Sequence, residues 1–431
     1  MRGVLFGSAV LCLVAGPTNV LWAEDLLRRL DAAVKEVTPS VIEWRRDFHA
    51  HPELSNREER TSRVVAELLR QFGVDEVRTG VARYGVVGLV RGHRPGPTVA
   101  LRADMDALPI QEETGLPFAS QNAGVMHACG HDMHTAMLLG AAKVLTQMRD
   151  LLPGTVKLIF QPCEEGAPAG ERGGAAVMVE EGVLRNPDVS AIFGMHVNPE
   201  EETGKIGYRL GIMMAAVDRF RITVTGQQSH GAMPWHGVDP VVVSAQIILA
   251  LQTIVSRKVD AREPAVLSVG IIQGGLAWNI IPQQVTLEGT VRTHSAEVRR
   301  DIEKHFRRIV QQTAAAHGAT ATITSYDNYG PGLCNDPELG RRMKTTLERA
   351  VGAKNVVEVR PMMGGEDFAR YAEKVPGLYV TLGVRNESAG AVGRLHTPRV
   401  VLDEAALPVG VRTFLLLAID YLHTHAKPGG Q

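Results

Sequence analysis

Short apolar runs alternate along the first half of the chain with stretches in which apolar residues recur at helical spacing. The runs have the length and composition of buried strands, and the stretches between them have the period of helices. Polar side chains follow several runs directly, His196 among them. Strands that alternate with helices and carry reactive groups at their ends are typical of open α/β sheets. The predicted strands include residues 86–90, 98–103, 156–160 and 191–195, and the predicted helices include residues 26–44 and 135–148.

The pattern changes at about Met213, where strands begin to alternate between apolar and polar positions. The order of elements becomes β-α-β-β-α-β, which is that of a ferredoxin-like domain. We therefore expect an α/β fold whose discontinuous catalytic domain, residues 24–212 and 327–431, is interrupted by a ferredoxin-like insert, residues 213–326. The elements predicted in the insert are strands at 219–225, 265–272, 284–292 and 319–325 and helices at 240–256 and 296–317.

The chain begins with an apolar run that differs from the rest of the sequence. Arg2 precedes the run, and the small residue Ala23 precedes an acidic start. This order resembles a secretory signal peptide, residues 1–23, and the run is shorter than the roughly 20 apolar residues of a membrane span. We expect an exported protein, periplasmic or secreted, with no membrane contact after removal of the signal. The alternatives are that the run is an uncleaved anchor, or that the true start lies downstream and the protein is cytoplasmic.

Composition limits the classes of partner. The chain has 431 residues, a formal net charge of −1 and 5% aromatic residues. Its length favours two domains, and its charge and aromatic content give no surface suited to nucleic acid. Outside the predicted signal, three cysteines remain, which is no disulfide framework. Cys163 and Cys334 are expected to be small buried residues, and a disulfide between Cys129 and Cys163 stays open.

Metal-binding side chains are concentrated in residues 127–134, where three histidines, a cysteine and an aspartate fall within eight positions. Thiolate and imidazole bind borderline-soft divalent metals, and a Cys and a His two residues apart can reach one ion. An acidic pair at 164–165 and two isolated histidines, His196 and His396, follow. This set supplies a metal site with a carboxylate left over for proton transfer, which favours a hydrolase over a structural zinc site.

Segments spread over almost the whole mature chain resemble metallo-amidohydrolases of the aminoacylase/carboxypeptidase superfamily. Within it, they are similar to the branch of hippurate hydrolases and plant auxin–amino-acid conjugate hydrolases. Each segment alone is weakly specific, whereas their common order is strongly specific. The resemblance implies a zinc-peptidase-like catalytic domain, with the insert as a lid and dimerisation domain. The segments are Asp104–Pro109, His127–His134, Gln161–Glu165, Gly194–His196, Ser229–Pro234, Gly274–Pro282, Gly364–Phe368 and His396–Pro398.

By position, the resemblance assigns the metal ligands to Cys129, His131, Glu165, His196 and His396. Five ligands exceed the four of a closed structural zinc site and suit two divalent ions. Zinc, manganese, cobalt and nickel all stay open, because the affinity order of such donors does not select among them.

Glu164 is the predicted general base, because one carboxylate of an acidic pair can anchor metal while its neighbour faces water. The alternative is that Glu164 and Glu165 are both ligands, or that one is a solvated charge. Asp106 matches the catalytic-site aspartate that orients a metal ligand in relatives, and Asp104 stands where many relatives have a metal-binding histidine. His134 is expected to support the site without binding metal.

Three residues of the insert are expected to serve catalysis and substrate binding. In relatives, the equivalent of His230 polarises the scissile carbonyl from the partner subunit, so the resemblance implies a homodimer. Asn279 and Arg292 match family positions, and an amide and a guanidinium suit a substrate carboxylate. A solvated strand position is the alternative interpretation of Arg292.

The leading hypothesis is a metal-dependent amidohydrolase that cleaves a small-molecule N-acyl amino acid to a carboxylic acid and a free amino acid. The alternatives are a metallo-dipeptidase or carboxypeptidase of the same superfamily, and a non-catalytic protein that binds metal or ligand. The presence of Glu164 beside five ligands argues against the non-catalytic protein. The acyl specificity is not predictable, because one methylene in a pocket is worth only about 1–3 kcal/mol.

Overall fold

The structure, a computed structural model, describes residues 17–426 of the chain. Residues 1–16, most of the predicted signal peptide, lie outside the described residues. The α-helices are α1 (Pro17–Ala50), α2 (Glu59–Gln71), α3 (His131–Gln147), α4 (Gly174–Glu180), α5 (Pro240–Arg257), α6 (Ala296–Ala316), α7 (Pro337–Val351), α8 (Ala369–Ala372) and α9 (Leu407–His425).

The strands form one large and one small sheet, together with two short ribbons. They are β1 (Glu76–Val81), β2 (Gly85–Arg91), β3 (Arg94–Asp104), β4 (Pro153–Gln161), β5 (Val189–Glu202), β6 (Ile206–Tyr208), β7 (Gly211–Met214), β8 (Ala216–Thr225), β9 (Ser229–His230), β10 (Ala265–Gly274), β11 (Ile280–Ile281), β12 (Gln284–Thr293), β13 (Thr320–Gly330), β14 (Leu333–Asn335), β15 (Val356–Glu358) and β16 (Gly377–Arg385).

Within residues 17–426, the larger sheet has eight strands in the order β1-β2-β4-β3-β5-β16-β6-β15. Its four central strands, β4, β3, β5 and β16, run parallel. The two strands that follow β3 in the chain lie on opposite sides of it, which makes β3 a switch point in strand order. Ligand sites of open α/β sheets lie at such a point, beyond the carboxyl ends of the strands. Helices α1, α3 and α9 pack together in the main hydrophobic core beside this sheet.

The strand that carries His196 is longer than the sequence pattern predicted. β5 continues to Glu202 because its backbone pairs with β16 as far as Glu202 opposite Arg385. His196 therefore lies within the strand, opposite Thr381, and the prediction that it lies at the strand's carboxyl end is wrong.

The smaller sheet has the strand order β10-β12-β8-β13, and every described pair in it is antiparallel. Helices α5 and α6 cover one face, where the ring centroids of Phe220 and Phe306 lie 4.7 Å apart. This is the β-α-β-β-α-β arrangement of a ferredoxin-like domain. The predicted fold class is therefore confirmed.

The ends of the insert differ from the predicted elements. β13 extends to Gly330, because it pairs with β8 as far as Val217, whereas the sequence pattern ended this strand at residue 325. The predicted boundaries at 213 and 326 fall inside β7 and β13, and they stay predictions.

Two described helices are long and apolar enough to cross a membrane by length and composition. The segment Glu404–His425 is 72% buried and packs in the main core, so it is a core helix. Pro240–Arg257, which is α5, is only 33% buried. Its exposed face carries Val241, Val242 and Leu249, so apolar side chains remain on the surface of the insert.

Candidate metal centre

Cys129 and His131 lie on either side of Gly130, where α3 begins. Gly130 has a φ of 87°, a left-handed conformation that favours glycine. A Cβ atom at this position would lie 2.4 Å from Cγ2 of Val197 and 2.9 Å from Cδ1 of Leu402. A glycine here therefore allows the start of α3 to pack directly against β5.

All five predicted ligands lie together. The Cys129 sulfur lies 3.3 Å from Nε2 of His196 and 3.2 Å from Nε2 of His396. Nε2 of His396 lies 3.3 Å from Oε1 of Glu165. Two groups of three side chains, each with its ligand atoms within 4.8 Å of one another, share Cys129: one also contains His131 and His196, and the other contains Glu165 and His396. Two groups of donors around one shared thiol suit two adjacent cations.

Asp106 is fully buried and connects two of the predicted ligands. Its Oδ1 accepts a hydrogen bond from Nδ1 of His131 at 3.2 Å. Its Oδ2 accepts from the Glu165 backbone N–H at 2.9 Å and from the Ser55 hydroxyl at 2.7 Å. The bond at Nδ1 places the ring proton there and leaves the Nε2 lone pair of His131 for a metal.

His134 lies beside the predicted ligands, with both ring nitrogens engaged. Its Nδ1 contacts Oδ1 of Asp104 at 2.5 Å, and its Nε2 accepts a hydrogen bond from the Val197 backbone N–H at 2.9 Å. A ring whose nitrogens are both engaged has no free lone pair for a metal. This geometry favours the supporting role predicted for His134.

Glu164 and Glu165 follow β4 on a turn in which Cys163 has a left-handed φ of 60°. Burial, reinforced by neighbouring carboxylates, raises the pKa of Glu164 well above its ordinary value. Burial alone would raise the pKa of Glu165 as well, but the hydrogen bond with His396 and the positive charges nearby outweigh it, and this pKa is lowered. Two adjacent carboxylates thus differ in proton affinity, which suits one to bind a cation and the other to accept a proton.

Arg102 is fully buried next to the site and contacts three carboxylates. Its distances to the nearest carboxylate oxygens of Asp104, Glu366 and Asp367 are 2.5, 3.0 and 2.8 Å. Burial and the Glu366 charge outweigh the attraction of Arg102 and raise the pKa of Asp367 to about 7. The family segment Gly364–Phe368 is therefore anchored to the end of β3 by one guanidinium.

A cavity of about 420 Å³, called the metal pocket below, opens beside these groups. Four of the five predicted ligands line it, together with Glu164 and Arg292. Met214, Tyr329 and Met362 also line it and were missed from the sequence. No sequence signal marks them, because apolar and aromatic residues on strands usually belong to the core.

The three predicted residues of the insert lie in different places. Among the described residues, neither His230 nor Asn279 lines the metal pocket of its own chain. They belong to a small ribbon, in which His230 is opposite Ile280 and the Gly231 N–H donates to the Asn279 carbonyl at 2.7 Å. Arg292, in contrast, lines the pocket.

Arg292 is half-buried, and among the described residues it has no charged partner. Its Nε donates to the Thr290 hydroxyl at 2.9 Å, and no carboxylate in the described part of the chain forms an ion pair with it. Burial lowers its pKa from the usual guanidinium value. A guanidinium in this state can bind an anion without first losing an existing ion pair.

The cysteines differ from the expectations in one respect. Cys129, Cys163 and Cys334 are free thiols, so the disulfide left open by the sequence is not formed. Cys163 is buried as expected, but Cys334 is exposed. The prediction for Cys334 is wrong because β14 pairs with β7 in a two-stranded ribbon whose central residue faces outward.

The donor set fits a divalent metal of the zinc type. Nε2 of His131 is buried and has no hydrogen-bond partner within residues 17–426. Burial lowers the pKa of His196 to about 4, so its ring is neutral at pH 7, the form that binds metal. Burial raises the pKa of the Cys129 thiol, and a bound cation is what would favour its thiolate.

The structure has a sheet with four parallel central strands, a ferredoxin-like insert and a site of Cys, His and carboxylate side chains. These are the features that the sequence predicted for a zinc-peptidase-like protein. Over residues 100–420 the chain matches the model of peptidase family M20/M25/M40, and it belongs to this family. The predicted superfamily resemblance is confirmed. The crystal structure of the Bacillus subtilis YXEP protein, a dinuclear metal binding peptidase from the M20 family, is 40% identical with a TM-score of 0.75 and covers 90% of this chain and 99% of that chain.

Two similar proteins are named for different activities. The chain is 41% identical over 398 residues to thermostable carboxypeptidase 1 of Saccharolobus solfataricus, covering 92% of this chain and 99% of the relative. It is 42% identical over 385 residues to N-acetylcysteine deacetylase of Bacillus subtilis, and the match covers 89% of this chain and 97% of the relative. Because the two identities are nearly equal, similarity alone does not select the substrate.

Proposed function

We propose that the protein is a metal-dependent amidohydrolase that cleaves N-acyl amino acids to a carboxylic acid and a free amino acid. The observation that carries this proposal is the convergence of five metal-binding side chains, four of which line a pocket that also contains Glu164 and Arg292. A structural metal site would need neither a spare carboxylate nor an unpaired guanidinium. The similarity to N-acetylcysteine deacetylase supports an acylated amino acid as the substrate.

The two donor groups that share Cys129 would hold two divalent ions, which can be zinc, manganese, cobalt or nickel. When bound, such ions polarise a carbonyl group and acidify water. The similarity to a dinuclear metal binding peptidase supports this number of ions.

Glu164 would accept a proton from the attacking water and deliver it to the leaving amine. Burial raises its pKa, which makes its carboxylate a stronger proton acceptor for the first transfer. The Asp367 backbone N–H lies 3.4 Å from Oε1 of Glu164 and orients the carboxyl group.

Arg292 would bind the α-carboxylate of the substrate. Its guanidinium lines the pocket and has no competing carboxylate among the described side chains. A planar guanidinium binds a carboxylate through two parallel hydrogen bonds, which fixes the orientation of the amino-acid half.

The test is a substrate panel assayed with each metal restored to chelated protein. Acetyl, benzoyl and indole-acetyl derivatives of amino acids should be hydrolysed faster than unblocked dipeptides. The Glu164→Gln variant should lose turnover while it keeps its metal. The matched control is Glu180→Gln, which makes the same change at an exposed residue. A fully active, metal-replete Glu164→Gln enzyme would contradict the proposal.

The second candidate is a carboxypeptidase or dipeptidase, favoured by the similarity to thermostable carboxypeptidase 1. The same panel separates the two activities. Faster cleavage of unblocked dipeptides than of every N-acyl amino acid would select the peptidase and reject the amidohydrolase.

We further propose a homodimer in which His230 serves the metal pocket of the partner. His230 lies outside the metal pocket of its own chain, so it would donate to the scissile carbonyl only in the pocket of a second copy. Exposed apolar side chains near His230 support contact with another surface: Trp235 is 72% and Trp278 is 97% exposed. α5 adds a second apolar face on the same insert. Asn279, beside Trp278, would reach the same site.

Complementation between two inactive variants tests this proposal. A His230→Ala chain and a Glu164→Gln chain should each be inactive alone. Mixed after dissociation, they should regain activity, because one pocket of the mixed dimer contains both intact residues. No regain in a mixture shown by sedimentation to contain mixed dimers would contradict a role in trans, and an active monomer would contradict the dimer.

Export of the protein is also a proposal, which depends on the apolar N-terminal run and the small residue at Ala23. Mass spectrometry of the protein from its native host should find a mature chain that begins at Glu24. A soluble chain that retains Met1 would contradict export.

A further inference from the structure

A second cavity, called the side chamber below, adjoins the metal pocket and has a volume of about 510 Å³. Val217, Arg292 and Tyr329 line both cavities, so a substrate held in one can extend into the other. The side chamber lies along the face of the smaller sheet that α5 and α6 do not cover. Arg219 and Glu288 on this face also line it.

The strand register fixes where the two guanidiniums of the side chamber lie. Arg219 of β8 is opposite Thr290 of β12, and Arg292 is two residues further along β12. Residues directly opposite, and residues two apart on one strand, share a face of the sheet. Arg219 and Arg292 are therefore diagonal neighbours, and such neighbours lie about 7–8 Å apart, within reach of long side chains.

Positive charge exceeds negative charge on this face. Arg219 and Arg221 both form ion pairs with Glu288, at 3.3 and 3.2 Å. Asp327 of β13 is directly opposite Arg219, so three guanidiniums share the face with two carboxylates. Arg292 has no ion pair within the described residues. The other carboxylate of the chamber, Glu165, is one of the candidate metal ligands. An anionic group that enters the chamber would therefore meet a guanidinium that is only partly neutralised.

Resting on the proposed function, we propose that the side chamber binds a second carboxylate, carried by the side chain of the amino-acid half. Arg292 borders both cavities, so an α-carboxylate bound there places the substituent of the α-carbon at the entrance to the side chamber. Arg219, the diagonal neighbour of Arg292 on the sheet, is then positioned to contact a carboxylate at the end of that substituent. The preferred substrates are N-acyl derivatives of amino acids with acidic side chains.

The test compares N-acetylglutamate with N-acetylglutamine, which has the same shape and lacks the second charge. The wild-type enzyme should favour N-acetylglutamate in kcat/KM by about fivefold, the upper range for an exposed ion pair, and the preference should fall with salt. Arg219→Gln should remove the preference and leave the rate with N-acetylglutamine unchanged.

Arg221→Gln is the matched control, because Arg221 shares Glu288 with Arg219 but does not line the side chamber. It removes the same charge and should retain most of the preference. If Arg219→Gln and Arg221→Gln lose the preference for N-acetylglutamate to the same extent, the inference is overturned, because the loss would then reflect a general effect of charge. Glu288→Gln should increase the preference, since it frees both guanidiniums.

A binding measurement separates this inference from the proposed function. Metal-free protein should be stabilised against heat more by N-acetylglutamate than by N-acetylglutamine, and Arg219→Gln should abolish the difference. If the enzyme hydrolyses both compounds with equal kcat/KM, the inference fails and the proposed function stands. If the metal-loaded enzyme hydrolyses no N-acyl amino acid, the proposed function fails, and the binding difference alone decides the role of the chamber.

Discussion

Replacing Asp106 by asparagine should weaken metal binding although Asp106 is not itself a proposed ligand. Asp106 accepts three hydrogen bonds, from His131 at Oδ1 and from Ser55 and the Glu165 N–H at Oδ2. An asparagine side chain has one acceptor oxygen and one amide group that only donates. The amide must therefore face either His131 or the two donors at Oδ2, and both orientations break contacts.

Each orientation of the asparagine amide disrupts a different part of the metal site. An amide that faces His131 requires Nδ1 as acceptor, which moves the ring proton to Nε2 and removes the lone pair available to a metal. If the amide instead faces Ser55 and the Glu165 N–H, its NH2 group meets two other hydrogen-bond donors and cannot accept from either. The turn that carries Glu165 is then displaced. Loss of such a supporting contact typically costs 10–100-fold in metal affinity, or about 1.4–2.7 kcal/mol.

Competition between the protein and a chelator of known affinity measures this change directly. Asp106→Asn should release metal at a 10–100-fold lower chelator concentration than wild type. Ser55→Ala is the control, because it removes one donor from Oδ2 and leaves the bond to His131 intact. Unchanged metal affinity in a folded Asp106→Asn protein, or an equal loss in Ser55→Ala, would refute the reasoning.

Three further predictions concern stability. Burial raises the pKa of Glu58 to about 8 in the folded protein, so the wild-type protein loses stability as the pH rises from about 4.5 to 8. In thermal melts between pH 5 and 9, the stability of Glu58→Gln relative to wild type should therefore increase by up to about 5 kcal/mol. Parallel stability profiles of the two proteins would contradict this. Gly130→Ala should lower the free energy of unfolding in urea by about 2–5 kcal/mol, because the added methyl group combines a left-handed φ with a contact of 2.4 Å to Val197. A decrease of less than about 1 kcal/mol would contradict this. Arg102→Met leaves two buried carboxylates and the partly exposed Asp367 without their cation, and it should lower the free energy of unfolding by at least about 3–5 kcal/mol in the same assay. An unchanged midpoint would show that the carboxylates are neutral.

Much of the fold could be predicted because its signals are local. The apolar runs of the parallel strands and the change of period near residue 213 depend only on neighbouring positions, and both sheets follow from them. The extension of β5 past His196 depends on pairing with β16, a strand distant in sequence, so no local pattern contains it. The exposure of Cys334 depends in the same way on its pairing with β7.

The candidate site was predictable where residue type alone implies chemistry. Cys129 and His131 are only two positions apart in a segment rich in metal-binding residues, and the order of the family segments supplied the remaining ligands. Tyr329 and Arg219 have no such signal, because a tyrosine and an arginine on strands are common. Only the strand register and the contact between the two cavities give them a role.

The metal content of the purified protein tests the central claim most directly. Elemental analysis of protein prepared without chelator should find two divalent ions per wild-type chain. His196→Ala and His396→Ala should each retain about one ion, because each removes a donor from only one of the two groups that share Cys129. A wild-type chain without transition metal under saturating supply, or two ions retained in both variants, would contradict the account.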